Sequence, residues 1–220
     1  DHSFCERLER SVVVHSFSKS LATTGSRIGY LASSADTLSQ IAKMHYYIIR
    51  HADPCYDTDS LTETGHREAQ ALASRLQDVG ITHVYSSPLM RAVQTAEYTA
   101  HLLGLPVIEQ EWLKELDGRI EQDDRQLAVW DTFGEVIRGT SSMPTVDDWH
   151  EYPPFGETGV GAYWHRFRDD ADIFSAKHGY TRLEGRYRID RSNDGRIALF
   201  CHNGTLLMLL AHLLELPPSL

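Results

Sequence analysis

The chain has 220 residues, 41% hydrophobic and 24% charged, a composition that excludes disordered and fibrous classes and suits a domain with a core of its own. With 21 Lys and Arg against 31 Asp and Glu the net charge is −10, which excludes the basic footprint of a nucleic-acid or anionic-membrane binder; a bound anion needs a local cationic pocket. Cys5, Cys55 and Cys201 form neither a disulfide framework nor a CxxC metal pair, no secretory signal opens the chain, and the apolar run ending at Leu214 is too short for a bilayer, so the expectation is a soluble, cytoplasmic protein.

In chain order, Val12 to Val14 is a β-branched run, Ser16 to Ser26 is rich in Ser, Thr and Gly, Arg27 to Leu31 reads as a short strand, and Asp36 to Met44 is compatible with a helix. A more regular alternation starts near His45. His45 to Arg50 is an apolar strand followed by loop signals at Asp53, Pro54 and Asp57. Ala69, Leu72, Ala73, Leu76 and Val79 recur at helical spacing, with Thr62 as cap and Gly80 as stop. Thr82 to Tyr85 is a strand. Ser87-Pro88 opens a helix with a predicted buried stripe of Leu89, Val93, Ala96 and Leu103, ended by Gly104 and Pro106. Pro106 to Glu109 is a further strand. From about 117 to 161 the periodicity fades, and Trp130, Phe133, Trp149, Tyr152 and Phe155 stand among Gly, Pro and acidic residues, as in a lid-like insertion or a satellite core beneath one. A helix with Trp164, Phe167, Ala171 and Phe174 on one face follows, then strands at Tyr187 to Ile189 and Ile197 to Cys201 and a helix at Gly204 to Leu214 that is apolar nearly all round. Alternating strands and helices predict an α/β fold, a three-layer α/β/α sandwich with a mostly parallel central sheet.

Chemistry concentrates at three strand ends: Arg50-His51, Ser86-Ser87-Pro88 with Arg91 one turn on, and Cys201-His202-Asn203-Gly204. Ligands of open α/β sheets bind beyond the carboxyl ends of strands. Two arginines, two histidines and two helix N-termini there predict a phosphate pocket, since guanidinium forks match tetrahedral oxyanions and helix N-termini offer unused N–H groups. A single Arg or His at a strand end is usually solvated or ion-paired; the agreement of three ends carries the argument. His66, His83, His101, His150, His165, His178 and His212 lack such company and read as surface or capping residues. No cluster has ligand spacing for a metal, with His51/Cys55 and Cys201/His202 the nearest pairs.

Tyr47-Ile48-Ile49-Arg50-His51-Ala52, Ser86-Ser87-Pro88-Leu89-Met90-Arg91-Ala92 with Thr95-Ala96, and Phe200-Cys201-His202-Asn203-Gly204 resemble the histidine phosphatase (phosphoglycerate mutase-like) superfamily, from about Met44 to the C-terminus. The resemblance implies a phosphoglycerate mutase-like fold and a phosphohistidine mechanism, of histidine acid phosphatase type, without metal or other cofactor. His51 would be the nucleophile. Arg50, Arg91 and His202, with Asn203 beside them, would hold the phosphoryl oxygens. Glu115, in Trp112-Leu113-Lys114-Glu115-Leu116, sits where the family often places its proton donor, with Glu111 and Asp117 as rivals. The family usually has Gly where Ala52 stands, and its second-histidine motif usually lacks an Asn in the form of Asn203. The mutase branch continues its first motif with an acidic residue and a Trp-Asn pair, which His51 to Asp57 lacks, so hydrolysis of a small phosphorylated metabolite is expected over phosphotransfer. A catalytically silent phospholigand-binding module is the rival from another class.

Residues 1–43 are set apart as a separate segment. Ser16-Phe17-Ser18-Lys19 followed by Gly25-Ser26-Arg27-Ile28-Gly29-Tyr30 is similar to the cofactor-lysine segment of fold-type I aminotransferases, where Lys19 would be the Schiff-base lysine and Arg27 a phosphate neighbour. A lysine of that kind needs a pyridinium partner and a large domain, so the segment is expected to be a non-functional fragment ahead of a phosphatase domain at 44–220. Leu216-Pro217-Pro218-Ser219-Leu220 follows the last helix closely, and the domain is expected to lack an edge element there.

Overall fold

The computed structural model describes residues 13–16, 29–32, 45–122, 125–132, 144–191 and 193–216. Lys19, Arg27, the expected helix at 36–44, Cys5 and Phe133 lie outside the described residues. Near the N-terminus, β1 (Val13–Ser16) and β2 (Gly29–Ala32) pair antiparallel, Val13 opposite Ala32. The chain divides into two compact units, Asp1–Gln110 with Ser192–Phe200, and Glu111–Arg191 with Cys201–Leu220.

The first unit carries a four-stranded sheet of order β3-β12-β6-β7, made of β3 (His45–Arg50), β12 (Arg196–Cys201), β6 (His83–Ser86) and β7 (Val107–Glu109). β12 runs parallel to β6, with Ile197 opposite His83, and β6 runs parallel to β7. Short strands β4 (Pro54–Cys55) and β5 (Ser60–Leu61) form a small antiparallel ladder in the loop after β3. Helix α1 (Glu63–Leu76) starts where expected: the Thr62 side chain accepts from the Gly65 N–H at 3.0 Å. Gly80 stands at φ 77°, the left-handed turn that lets the chain leave the helix for β6.

Helix α2 (Met90–Leu103) forms as predicted, but its buried face is Ala92, Thr95, Ala96, Thr99 and Ala100, while Leu89, Val93 and Leu103 are only half-buried. The correction has a packing reason. α1 buries Gly65, Ala69 and Ala73 and packs on α2; small residues on both faces let the two backbones approach, and the larger side chains fall to the flanks. Between helices and sheet, Leu76, Ile81, Val84, Ala96, Ala100, Ala198 and Phe200 form the core.

The second unit is built on helix α3 (Val160–Lys177), which buries Trp164, Phe167, Ala171 and Phe174 as the periodicity predicts. Helix α4 (Asn203–Leu214) is buried over most of its surface. The stretch expected to be irregular contains an antiparallel hairpin, β8 (Arg119–Gln122) with β9 (Arg125–Ala128). Trp149 and Phe155, left open by the sequence between a lid-like insertion and a satellite core, are each 2% exposed and stack edge-on at 5.2 Å, and Trp149 meets Trp164 at 5.9 Å. They are core, because bulky rings without helical or strand spacing still bury once α3 supplies partners. A second hairpin, β10 (Tyr180–Leu183) with β11 (Arg186–Ile189), includes a strand that alternation did not reveal. No helix among the described residues is long and apolar enough to cross a membrane.

Candidate functional site

The expected site residues fall into two groups, one in each unit. In the first, β3 delivers Arg50 at its last position and His51 just beyond. His51 is 5% exposed, and its Nδ1 lies 2.8 Å from the Ala52 carbonyl oxygen. A carbonyl only accepts, so Nδ1 carries the proton and Nε2 carries the ring's lone pair. Burial first, then the charges of Arg91 and Arg50, lower the His51 pKa to about 4 against the opposing hydrogen bond to Ala52 and the charge of Asp59. At neutral pH the ring is a neutral, oriented imidazole beside two guanidiniums. The Nε groups of Arg50 and Arg91 are both buried with no hydrogen-bond partner among the described residues. Buried donors of this kind are costly unless an acceptor meets them.

The surroundings fix this group in place. Thr95 Oγ1 accepts from the Ala52 N–H at 3.1 Å and donates to the Arg91 carbonyl at 2.6 Å, tying the loop after β3 to α2. Ala52, where the family usually has Gly, is not among the described non-glycine residues at positive φ, so its methyl is accommodated in a small core with Leu61 and Ala69. Asp59 is at positive φ, 47°. Its carboxylate accepts from the Met90 N–H at 2.9 Å and pairs with Arg91 Nη1.

In the second unit, His202 is fully buried at the N-cap of α4, and its carbonyl accepts from Leu206 N–H at 2.9 Å. Its side chain makes no cap hydrogen bond. That task falls to Glu115, whose Oε1 accepts from the N–H groups of Gly204 at 3.0 Å, Thr205 at 3.3 Å and Leu116 at 3.1 Å. Thr205 Oγ1 donates to the Lys114 carbonyl at 2.5 Å and Tyr163 OH donates to the same oxygen at 3.2 Å, which pins the Glu115 backbone. Burial, then the charge of Glu115, raises the Tyr163 pKa to about 12, so it remains a donor at neutral pH. Asn203 Oδ1 is buried with no partner among the described residues. An anion needs the donor end of that amide, which the opposite flip of the side chain presents. Burial and the Glu115 charge push the Cys201 thiol up, so it is an inert core residue.

These contacts correct one expectation. Both helix N-termini read as phosphate cradles already accept carboxylates: Asp59 takes the first amide of α2, and Glu115 takes the first amides of α4. A dipole satisfied by a side chain offers little to a second anion. Asp59 was missed by sequence reasoning: it stands 31 residues before the amide it accepts from, in a loop that precedes a different helix, and no local signal links the two. His212, read as surface or capping, is buried with Nε2 2.8 Å from Asp172 Oδ1. No group of three or more His, Cys, Asp and Glu able to hold a metal is present among the described residues.

Comparison with known proteins agrees with the family resemblance. A probable phosphoglycerate mutase GpmB of Proteus mirabilis (strain HI4320) is 38% identical over 105 residues, 43% of this chain and 48% of that protein. The protein of the same name from Yersinia pestis (strain Pestoides F) is 36% identical over 83 residues, 34% of this chain and 39% of that protein. The chain thus spans about half the length, or less, of the curated relatives it matches. Among solved structures, a mutant phosphoserine phosphatase from Entamoeba histolytica in complex with phosphoserine superposes with TM-score 0.50 at 21% identity, covering 80% of this chain and 82% of that one. Mycobacterial hydrolase 2 gives TM-score 0.50 at 23% identity, covering 78% and 72%. These likenesses show the shared α/β fold with its mostly parallel sheet. The sequence pattern of the histidine phosphatase superfamily (branch 1) matches residues 46–220, which take in Arg50-His51, Arg91, Glu115 and His202 together, and the chain therefore belongs to that superfamily.

Proposed function

We propose that this chain hydrolyses small phosphomonoesters through a phosphohistidine on His51, with no metal required. The observation that carries the reading is His51 itself, a buried ring with its proton on Nδ1, a pKa lowered to about 4, and two arginines beside it whose Nε donors are buried without partners. Phosphoryl transfer asks chiefly for positioning and for charge against the equatorial oxygens, and Arg50 and Arg91 supply both.

In the first step His51 Nε2 attacks phosphorus, the bond from phosphorus to the ester oxygen breaks, and Glu115 gives the departing oxygen its proton. In the second step water attacks the phosphohistidine, Glu115 takes the proton from that water, and the N–P bond breaks to release phosphate and neutral His51. The roles of Glu115, His202 and Asn203 rest on the family pattern. Three N–H groups donate to Glu115 Oε1 and fix the carboxyl in place, so the proton given and taken belongs on Oε2. Hydrolysis is favoured over transfer between hydroxyls because the loop from Ala52 to Ser60 carries Asp53, Asp57 and Asp59 and no Lys or Arg, so it adds no cation for a second phosphate or a carboxylate.

The test is turnover of an aryl phosphate with EDTA present, comparing the chain with His51→Ala, and alkaline quenching to trap the acid-labile phosphohistidine for mass spectrometry. Turnover that survives EDTA, a phosphoryl adduct on the His51 peptide, and loss of both by at least about a thousandfold in the variant are expected. A folded protein without turnover or adduct overturns the reading in favour of a phospholigand-binding module.

A further inference from the structure

Within the first unit, the loop after β3 is tied to α2 along its length. Asp59 accepts from the Met90 N–H at 2.9 Å, Gln94 Oε1 accepts from the Leu61 N–H at 2.8 Å, and Thr95 Oγ1 accepts from the Ala52 N–H at 3.1 Å. The Thr95 tie differs from the others in what it joins. Thr95 is fully buried, and its Oγ1 lies 2.6 Å from the Arg91 carbonyl oxygen. That carbonyl can only accept, so the hydroxyl proton goes to Arg91 and an oxygen lone pair is left for the Ala52 N–H. Ala52 follows His51 in the chain, and its own carbonyl oxygen accepts the His51 Nδ1 proton at 2.8 Å. Ala52 is therefore held at its N–H by α2 while its carbonyl holds the imidazole. Arg91, at the other end of the Thr95 hydroxyl, is an arginine whose charge acts on that imidazole. One buried hydroxyl thus joins the backbone that carries His51 to the backbone that carries its guanidinium neighbour. Thr99, one turn along the same buried face of α2, gives the contrast: its Oγ1 is buried with no hydrogen-bond partner among the described residues.

We propose that Thr95 is a positioning residue for phosphoryl transfer, holding the His51 imidazole, through Ala52, in register with Arg91. The inference rests on the hydrolase reading, and it adds the residue that sets the attack geometry. Removal of the hydroxyl leaves both guanidinium charges in place, so the hold on the bound phosphate changes little, while His51 Nε2 loses its fixed line on phosphorus. Misplacement of a reacting group by about 1 Å costs up to roughly a hundredfold in rate. Such a loss falls on kcat more than on KM, because the lost alignment matters in the transition state and not in the bound ground state.

The experiment compares aryl phosphate turnover by the whole chain with that of three variants. Thr95→Val keeps the shape and removes the hydroxyl, Thr95→Ser keeps the hydroxyl, and Thr99→Val makes the same change one turn away. The expected result is a kcat about ten- to a hundredfold lower in Thr95→Val with KM within about threefold, and a kcat within about threefold of the unsubstituted chain in the other two. An unchanged kcat in Thr95→Val, or an equal loss in Thr99→Val, overturns the assignment and leaves the hydrolase reading standing.

A second arm needs no turnover. Ring-nitrogen NMR at pH 7 follows the His51 signals, identified by their absence in His51→Ala. The unsubstituted chain and Thr95→Ser are expected to show one tautomer with its proton on Nδ1, and Thr95→Val an exchange-averaged mixture of the two. An unchanged ring in folded Thr95→Val overturns the assignment even if hydrolysis itself fails. Should Thr95→Val not fold, amide exchange in the unsubstituted chain decides. The Ala52 N–H is expected to exchange at least about tenfold more slowly than those of the exposed Asp57 and Thr58, and exchange as fast as theirs overturns the assignment.

Discussion

His51 gains its chemistry from burial more than from any single partner. The unfolded imidazole binds a proton near 6.5, and the folded one near 4. Between those values the unfolded chain therefore holds more protons, and lowering the pH through that window favours unfolding. An NMR titration should show the His51 ring neutral down to pH about 4; protonation near 6.5 would mean that the guanidiniums and the burial do not act on it as described. Asp59 acts on the same group from the other side. Its carboxylate holds both the first amide of α2 and the Arg91 guanidinium, so Asp59→Ala is expected to lower stability by about 1 kcal/mol through the lost cap. The same variant should raise KM for an aryl phosphate more than it lowers kcat, because Arg91 loses its orientation and not its charge. Denaturant melts and steady-state kinetics check the two parts, and an unchanged KM would show that Arg91 needs no help from Asp59.

At the scale of elements, α1, α2 and α4 each start on an acceptor, and two of the three acceptors come from far along the chain. α1 uses its own Thr62, which also donates to Asp53 Oδ2 at 2.6 Å. α2 and α4 use Asp59 and Glu115. The local cap was legible in the sequence because Thr62 stands beside the helix it caps. The distant ones were not, since contact between residues 115 and 204 is a product of folding. The loop after β3 lies so close on α1 that a Cβ at Gly65 would meet the Asp53 carbonyl oxygen at 2.2 Å. Gly65→Ala should accordingly cost about 1–3 kcal/mol, although alanine is the better helix former. A thermal melt that shows stabilisation instead would mean that the loop moves away at little cost.

At the scale of the whole molecule, the second unit is held by a polar network as well as by its aromatic core. Asp172 Oδ1 accepts from Tyr187 OH at 2.9 Å and lies 2.8 Å from His212 Nε2; Arg182 donates to Tyr187 OH at 3.0 Å and to the His212 carbonyl at 3.1 Å, and pairs with Glu215. The network joins α3, the β10–β11 hairpin and the end of α4. Burial pushes the Asp172 carboxyl up, but the hydrogen bonds and charges of His212, Tyr187 and Arg182 outweigh it and hold the pKa below 3.8. That stability is present at neutral pH and is lost only as the pH falls through the lowered value. Asp172→Ala leaves the buried His212 and the half-buried Tyr187 without their acceptor and is expected to cost about 2 kcal/mol by chemical denaturation at pH 7. A cost near zero would show that water replaces the carboxylate.

The sequence by itself determined the alternation of strands and helices in 45–110, the aromatic face of α3, the buried last helix and the motifs that mark the family. Hydrophobic period, a cap beside its helix and a short motif are local properties, carried by residues within a few positions of one another. Tertiary structure alone decided which face of α2 is buried, that Trp149 and Phe155 are core, that His212 is inside, and that Asp59 and Glu115 occupy the helix N-termini. Each of these depends on which distant segment arrives to pack or to accept a hydrogen bond, and burial and charge act through space without regard to order along the chain.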